Sequence, residues 1–483
     1  MSPRRIALAI VLTAFTLLPA GPLAQGSAPR DPAADKDVLG NQRLFTAWAE
    51  GQLRFRGVPG MVVGVVSDQK LIWAKGFGFA NLAGKVPMTP QTKFRMASHS
   101  KLFTATAIMQ LRERGKLHLD DPVSKHLPWF AVTSPRPDDP PITIEELLTH
   151  SSGLPREAAD HWTTLTFPTR EELKTLVPKR QAAFPSETRW KYSNLAYTVA
   201  GMIVEEVSGE SWADYVTRHI YQPLGMADSS VDKDVPGLAT GYGRRAADGS
   251  RAVMPFVDAR SMAAATGITS TVEDMARFVS AQFRRGTAGG DRILSTASLR
   301  EMHRVRMLEN NWTRGNGIGF SVVRERDKLY VGHGGSYPGY ITNTLIDLNG
   351  KVGVIVLTNA QDGDAGAISS QLMNTVGQAV AKAAGTAPEK VKWNPAWSRF
   401  AGLYRSRWGD QHVVELNEKL VIINPDAATL DNPVELEPIG DGTFRFLAPV
   451  GGGPVGEIVR FVEENGQVVR MITGDSYVER VRN

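Results

Sequence analysis

The sequence predicts a layered α/β or α+β domain over residues 41–382, followed by a small all-β domain over residues 397–483. Three observations carry this. Strand-like runs stand at both ends of the larger region, Met61–Ser67 and Leu71–Gly78 early, then Leu329–Val331, Ile341–Leu348 and Val352–Leu357 late. Helical periodicity fills the middle, clearest in Leu102, Phe103, Ala105, Ile108, Met109 and Leu111. From Trp397 onward the pattern changes to short apolar runs broken by Asn-Glu, Asp-Gly and Asn-Gly turns, as in an antiparallel sandwich or barrel.

In chain order, residues 1–26 read as a secretory signal: Arg4 and Arg5, an apolar core Ile6–Leu18, then small residues around Ala20–Gly26. Residues 27–40, rich in Pro, Ala and Asp, are expected to be a disordered linker, and a helix is expected over Asn41–Arg54. Asp68 and Gln69 should turn the first hairpin. The Ser98 helix should end at Gly115, and the proline-rich stretch Ser134–Pro141 should be an exposed loop. Thr143 with Glu146 and Thr169 with Glu172 have capping-box spacing, and Ser270 with Glu273 repeats it. Asn349-Gly350 is expected to turn the last strand pair. Residues 383–396 have linker composition, and Gly451-Gly452-Gly453-Pro454 reads as a flexible loop, since no lysine or helix start follows as a phosphate cradle requires.

Composition narrows the function. The formal charge is +5, of which Arg4 and Arg5 contribute two, and no long basic run argues for nucleic acid. No stretch after residue 26 is long and apolar enough for a membrane span, so none is expected in the mature form. The chain contains no cysteine, which removes thiolate catalysis, thiolate metal sites and disulfides. With the signal, this gives a periplasmic or secreted location. Oligomeric state has no signal in the sequence.

The chemistry centres on Phe94-Arg95-Met96-Ala97-Ser98-His99-Ser100-Lys101. A helix beginning near Ser98 puts Lys101 one turn on, beside the serine oxygen. A serine hydroxyl needs a neighbour to take its proton, and lysine serves if burial or nearby positive charge lowers its pKa. The Ser98 N–H, at a helix start, is suited to an oxyanion. Ser-x-x-Lys also occurs at Ser67–Lys70 and Ser230–Lys233, but only Ser98 opens a long apolar-periodic helix. The plainer alternative for Ser98 is an N-cap.

Two further clusters bear on it. In Trp190-Lys191-Tyr192-Ser193-Asn194, before another apolar helix, the tyrosine can act as a base only where nearby cations favour phenolate, Lys101 being the obvious one. Asn194 can hold a substrate carbonyl or bond Lys101; the alternative is a buried aromatic beside a helix-capping amide. In Val331-Gly332-His333-Gly334-Gly335-Ser336, crowded glycines at a strand allow close backbone approach. The Ser336 N–H could be a second oxyanion donor, and His333 could bind a carboxylate when protonated or join the proton network when neutral.

These segments together resemble the penicillin-recognising serine hydrolases, close to class C β-lactamases, D-stereospecific peptidases and esterases. The three motifs are Ser98-His99-Ser100-Lys101, Tyr192-Ser193-Asn194 and His333-Gly334-Gly335. Supporting matches are Leu147–Pro155, Pro223–Met226, Gly267–Thr271 and Val356–Asn359, so the resemblance covers about residues 40–380. It implies the β-lactamase/transpeptidase-like fold: an antiparallel sheet with flanking helices plus a helical part, and a site in the cleft between them. It implies Ser98 as nucleophile, Lys101 and Tyr192 as proton-transfer partners, and Asn194, His333, Gly335 and Ser336 at the substrate, with an oxyanion hole from the Ser98 and Ser336 N–H groups. It implies no cofactor and no metal. His333 stands where many class C β-lactamases have the lysine of Lys-Thr-Gly, a variant frequent in the peptidase and esterase branches. The expected function is an exported serine hydrolase acting on small esters, amides or D-amino-acid peptides. The alternatives are a β-lactamase or D,D-carboxypeptidase, and an inactive peptidoglycan-binding relative. His150 is expected to shape its loop, His99 and Ser100 to face supporting protein, and Trp190, Tyr337 and Trp408 are candidate pocket walls.

Overall fold

The computed structural model describes residues 31–231, 235–284, 293–309, 312–325, 328–385, 393–407, 409–425, 433–440, 442–447 and 455–481. The chain divides into two compact units, Met1–Thr386 and Ala387–Asn483. The signal-like residues 1–26, Trp408 and the Gly451–Pro454 loop lie outside the described residues.

The first unit is built on a 9-stranded antiparallel sheet. In spatial order its strands are Val86–Pro87, Lys70–Asn81, Gly60–Ser67, Val352–Thr358, Tyr340–Asp347, Lys328–Tyr337, Ser321–Glu325, Arg314–Asn316 and Met307–Leu308. The early hairpin therefore joins the late meander through one ladder, Met61 opposite Thr358 and Ser67 opposite Val352. Both faces are covered, which is why Met61–Val66 reads as one apolar run. Met61, Val63, Val65, Val354 and Val356 face the N-terminal helix Lys36–Arg56 and the C-terminal helix Ala365–Leu372. Val62, Val66, Ile355 and Leu357 face the helical part, where Ser100–Glu113, Asn194–Ser208 and Val272–Gln282 pack. Two sheet glycines let the last of these come close: a Cβ on Gly64 would lie 2.5 Å from Val272 Cγ2, and one on Gly353 would lie 2.3 Å from Val279 Cγ1.

Several local expectations are corrected. The irregular stretch 27–40 does not reach residue 40: Pro32–Ala34 forms a 3₁₀ turn, and the helix starts at Lys36 because the Asp35 carboxylate accepts from the Asp37 and Val38 N–H groups. Thr143/Glu146 and Thr169/Glu172 do form capping boxes. The third cap shifts by one residue to Thr271, which accepts from Asp274 N. Ser270 is drawn instead into a strand opposite Phe94, its hydroxyl 2.8 Å from Ser229 Oγ. At the last hairpin, Lys351 takes the left-handed conformation (φ 50°) and Gly350 does not; Asp347 Oδ1 accepts from both Asn349 N and Gly350 N and so builds a longer turn.

The second unit is a closed barrel of eight strands: Gly402–Ser406, Gly409–Glu415, Leu420–Ile423, Val434–Gly440, Thr443–Phe446, Ile458–Glu464, Gln467–Thr473 and Ser476–Arg480. The first strand closes on the last through Tyr404 opposite Arg480. An aromatic core fills it, with Phe400 stacked on Phe461 at 4.6 Å between ring centroids and Phe444 against both. Among the described residues no helix is long and apolar enough to cross a membrane.

Candidate active site

The strand Phe94–Arg95 delivers the chain to a single 3₁₀ turn, Ala97–His99, from which the helix Ser100–Glu113 continues. Ala97 is held at φ 52°, a left-handed conformation that costs a non-glycine residue about 1 kcal/mol. The surroundings enforce it. Ser100 Oγ donates to Ala97 O at 2.8 Å and accepts from Ile268 N at 3.1 Å. His99 is fully buried, with Nδ1 3.1 Å from Met96 O and Nε2 2.9 Å from Thr344 Oγ1, and burial pushes it down to about 4, so it is neutral. Both side chains face supporting protein, and the half-buried Ser98 hydroxyl is left to Lys101 and Tyr192.

Lys101 is fully buried. Its Nζ lies 3.2 Å from Ser98 Oγ, 2.8 Å from Asn194 Oδ1 and 2.8 Å from Ala265 O. Burial holds it well below the ordinary 10.5, Glu157 opposing the shift and Arg156 adding to it.

The turn bearing Tyr192 and Asn194 is laced to the loop at 150–157. Lys191 N donates to His150 O, Ser193 N to His150 Nδ1 at 3.2 Å, and Asn194 N to Arg156 O. Since Nδ1 accepts, His150 is neutral, and burial keeps it well below 6.5. Its ring lies 4.4 Å from the Tyr192 ring. His150 thus shapes the loop, as expected. Ser193, not Asn194, caps the helix, accepting from Ala196 N.

Tyr192 OH donates to Ser98 Oγ at 2.7 Å. Burial pushes this phenol up to about 12 against the Ser98 bond and the Arg156 charge. Burial outweighs the one cation that favours phenolate, Arg156, so the resting Tyr192 is a protonated donor to Ser98.

The third segment lies on Lys328–Tyr337. A Cβ on Gly335 would come 2.4 Å from Met96 O, so only glycine lets this strand lie against the residue pair before Ser98. His333 is buried, its ring 6.5 Å from that of Tyr192 and 6.2 Å from that of His99. Burial is the largest cause that pushes it down, to about 3. Its Nδ1 lies 2.6 Å from Gly334 O, a bond that ties the ring to its own strand. Ser336 is exposed and its Oγ accepts from Gln361 Nε2 at 3.2 Å.

Ser98, Lys101, Tyr192 and Asn194 therefore meet through direct hydrogen bonds, and His333 and Gly335 border them. Trp190 sits 6.4 Å from the Tyr192 ring, half-buried. Tyr337 is not a free wall: it is buried, its OH donates to Val257 O, and its ring packs on Trp162.

Sequence reasoning missed Glu157, Arg156 and the Ala265 carbonyl. Glu157 Oε1 accepts from Asn194 Nδ2 at 2.6 Å, and the guanidinium of Arg156 lies 5.2 Å from the Tyr192 ring centroid. The available signal was an acidic residue beyond Leu154-Pro155, with His161 and Trp162 four and five positions on. A backbone carbonyl leaves no signal in residue identity.

Comparison with known proteins shows the family and the fold. A family model described as Beta-lactamase matches residues 45–374. PbpX of Bacillus subtilis (strain 168), a protein named for penicillin binding, is 30% identical over 306 residues, 62% of this chain and 70% of that one. The octameric penicillin-binding protein homologue from Pyrococcus abyssi superposes with a TM-score of 0.62 at 26% identity, covering 90% of this chain and 99% of that one. A D-stereospecific amidohydrolase from Streptomyces shares the fold, with a TM-score of 0.56 at 22% identity over 69% of this chain and 97% of that one. The chain belongs to the β-lactamase family and is a serine hydrolase of the β-lactamase and penicillin-binding-protein superfamily.

Proposed function

We propose that the chain is an exported hydrolase that forms an acyl-enzyme on Ser98 and cleaves small esters, amides or D-amino-acid peptides. The observation that carries the reading is the set of partners around Lys101 Nζ. A neutral amine has two N–H donors and one lone pair. Asn194 Oδ1 and Ala265 O, each 2.8 Å away, are acceptors only, so they take the two N–H groups. In that neutral form the lone pair faces Ser98 Oγ, 3.2 Å away, and the buried amine can serve as the base.

Acylation then follows in balanced steps. Ser98 Oγ attacks the substrate carbonyl carbon as its proton passes to Lys101 Nζ. The carbonyl oxygen becomes the oxyanion, held by the N–H groups of Ser98 and Ser336. Collapse breaks the bond to the leaving group, which takes the Tyr192 proton, and the Lys101 ammonium recharges the phenolate. Water repeats the sequence on the acyl ester, its proton going to Lys101, and frees the acid. A neutral His333 provides no cation for a substrate carboxylate, which supports ester and amide turnover over β-lactam or D,D-carboxypeptidase chemistry.

The test is a panel of p-nitrophenyl esters, D-alanyl peptides and a chromogenic cephalosporin with wild type and Ser98→Ala. Turnover of the preferred substrate should fall by at least about a thousandfold in a folded variant. Persistent activity refutes the nucleophile, and a cephalosporin preference selects the alternative. For export, the support is the basic–apolar–small order of residues 1–26 and the absence of cysteine. Amino-terminal sequencing of the mature protein checks it: a start near residue 25 or 27 is expected, and an intact Met1 would refute it.

A further inference from the structure

The proton arrangement just proposed depends on which way the Asn194 amide points, and one residue outside the three motifs decides that. An amide can present either oxygen or N–H to Lys101. With oxygen forward it accepts from the amine and leaves the lone pair for Ser98. With N–H forward it competes with the Ser98 hydroxyl for that lone pair.

We propose that Glu157 is a positioning residue for this reaction: its carboxylate takes the N–H side of Asn194, turns Oδ1 to Lys101 Nζ, and places a negative charge one amide away from that amine. The inference rests on the acyl-enzyme reading above. Glu157 Oε1 accepts from Asn194 Nδ2 at 2.6 Å and from Trp162 Nε1 at 2.8 Å, while Oε2 lies 3.0 Å from His161 Nε2. A carboxylate only accepts, so it takes the NH₂ side of the amide and no other. Its side chain is 16% exposed and that of His161 is 1% exposed, so neither swings freely. Burial works against the ionised form of Glu157, but the donors His161, Trp162 and Asn194 more than offset it.

The charged and titratable groups around Lys101 are few. Tyr192 and Tyr197 offer ring faces 4.9 and 5.6 Å from Nζ, and both phenols are protonated. His150 and His333 are neutral. Arg156 opposes the charge on the amine and Glu157 favours it. Removing the Glu157 charge therefore lowers the Lys101 pKa. Since the neutral amine is the active form, the acid limb of acylation moves to lower pH.

The experiment follows the rate of Ser98 modification by a fluorophosphonate against pH, by intact mass, in the full-length wild type, Glu157→Gln and Glu157→Asp. The glutamine has one acceptor oxygen where three donors converge, so the amide is no longer fixed. Its acid limb should move down by about one pH unit or more, the scale of a unit charge several ångströms away at an intermediate dielectric. Its plateau should fall about tenfold. The aspartate keeps the charge but is one methylene short, so its limb should stay in place while its plateau falls. Thermal unfolding accompanies each variant. If the glutamine variant does not fold, the aspartate carries the test, and a wild-type plateau in it overturns the proposal. A Glu157→Gln profile that superposes on wild type overturns it too, as does loss of plateau with an unmoved limb, which is packing damage alone. A wild type that forms no adduct on Ser98 overturns the acyl-enzyme reading, and this proposal with it.

Discussion

Replacing Gly335 by alanine should separate the position of the nucleophile from its chemistry, because the substitution leaves every proton-carrying group intact. The added Cβ would lie 2.4 Å from Met96 O, 2.4 Å from Thr342 Oγ1 and 3.1 Å from Ala97 Cβ. The threonine hydroxyl can rotate away, but a backbone carbonyl cannot. Restoring even a 3.0 Å contact moves the strand or Met96 by 0.6 Å. Met96 is held from several sides: its N–H donates to Ile268 O, and its carbonyl accepts from His99 N and Thr342 Oγ1. The displacement therefore passes along the chain to Ala97 and Ser98. A misplacement of 1 Å at a reacting centre costs about 100-fold, so 0.6 Å corresponds to a loss of about 15-fold in kcat/KM. Overpacking of this kind destabilises by about 1–3 kcal/mol. The assay is ester hydrolysis beside thermal unfolding, with the labelled fraction of Ser98 counting active sites. A Gly335→Ala protein with wild-type kcat/KM and an unchanged melting temperature would refute the claim that this glycine sets the nucleophile's position.

Tyr192→Phe removes the donor to Ser98 Oγ and the acid for the leaving group, and kcat should fall by about 10² to 10³. The loss should be smaller for substrates with good leaving groups; equal losses for p-nitrophenyl and alkyl esters would argue against the leaving-group role. Away from the site, Asp121 accepts from His118 N, Lys125 Nζ and His126 Nε2, and these donors outweigh its burial and hold it below the ordinary 3.8. A depressed carboxylate contributes stability above its unfolded pKa and loses it as pH falls through the folded one. Asp121→Asn should therefore cost about 2 kcal/mol at neutral pH, with the gap to wild type closing below about pH 4. Melting temperatures of both proteins across that range check the sign.

The motifs were legible because each pairs a reactive residue with a local pattern. Ser98 opens an apolar-periodic helix, Ser193 and Asn194 precede another, and Gly335 marks a close approach. The early hairpin and the boxes at Thr143 and Thr169 were legible for the same reason, a local signal with a local cause. The expectations that shifted did so where tertiary partners outbid local spacing. Ser270 has the right residue three positions on, yet pairing with Phe94 draws it into a strand and leaves Thr271 to cap. Gly350 suits a tight turn, yet Asp347 gathers two N–H groups and pushes the positive φ to Lys351. In the barrel, about half the residues of Gly402–Ser406, Val434–Gly440 and Ser476–Arg480 are polar or glycine, so no local pattern marks them and pairing with their neighbours makes them strands. Glu157 was invisible for a related reason. Its importance lies in what it faces across 37 residues, and the nearby His161 and Trp162 mark only its local partners.

The convergence of the three segments rests on small residues more than on the reactive ones. A Cβ on Gly201, in the helix behind Asn194, would lie 2.3 Å from Ala264 Cβ, and one on Gly319 would lie 2.5 Å from Ala105 Cβ, in the helix behind Lys101. The first of these contacts lets the Ala263–Thr266 turn pack closely on the helix behind Asn194, and the second lets the bend at Gly319 pack on the helix behind Lys101. In the Ala263–Thr266 turn, Ala264 O accepts from Thr104 Oγ1 at 2.6 Å, and the neighbouring Ala265 O reaches Lys101 Nζ. A larger residue at 201 or 264 would hold the helices apart and withdraw the carbonyl that takes one of the amine's two N–H groups. The amine would then turn that N–H toward Ser98 and lose its fitness as a base, although no reactive residue had changed. The chemistry of the cleft is thus a consequence of packing two helices and a turn at the shortest distance that alanine and glycine permit.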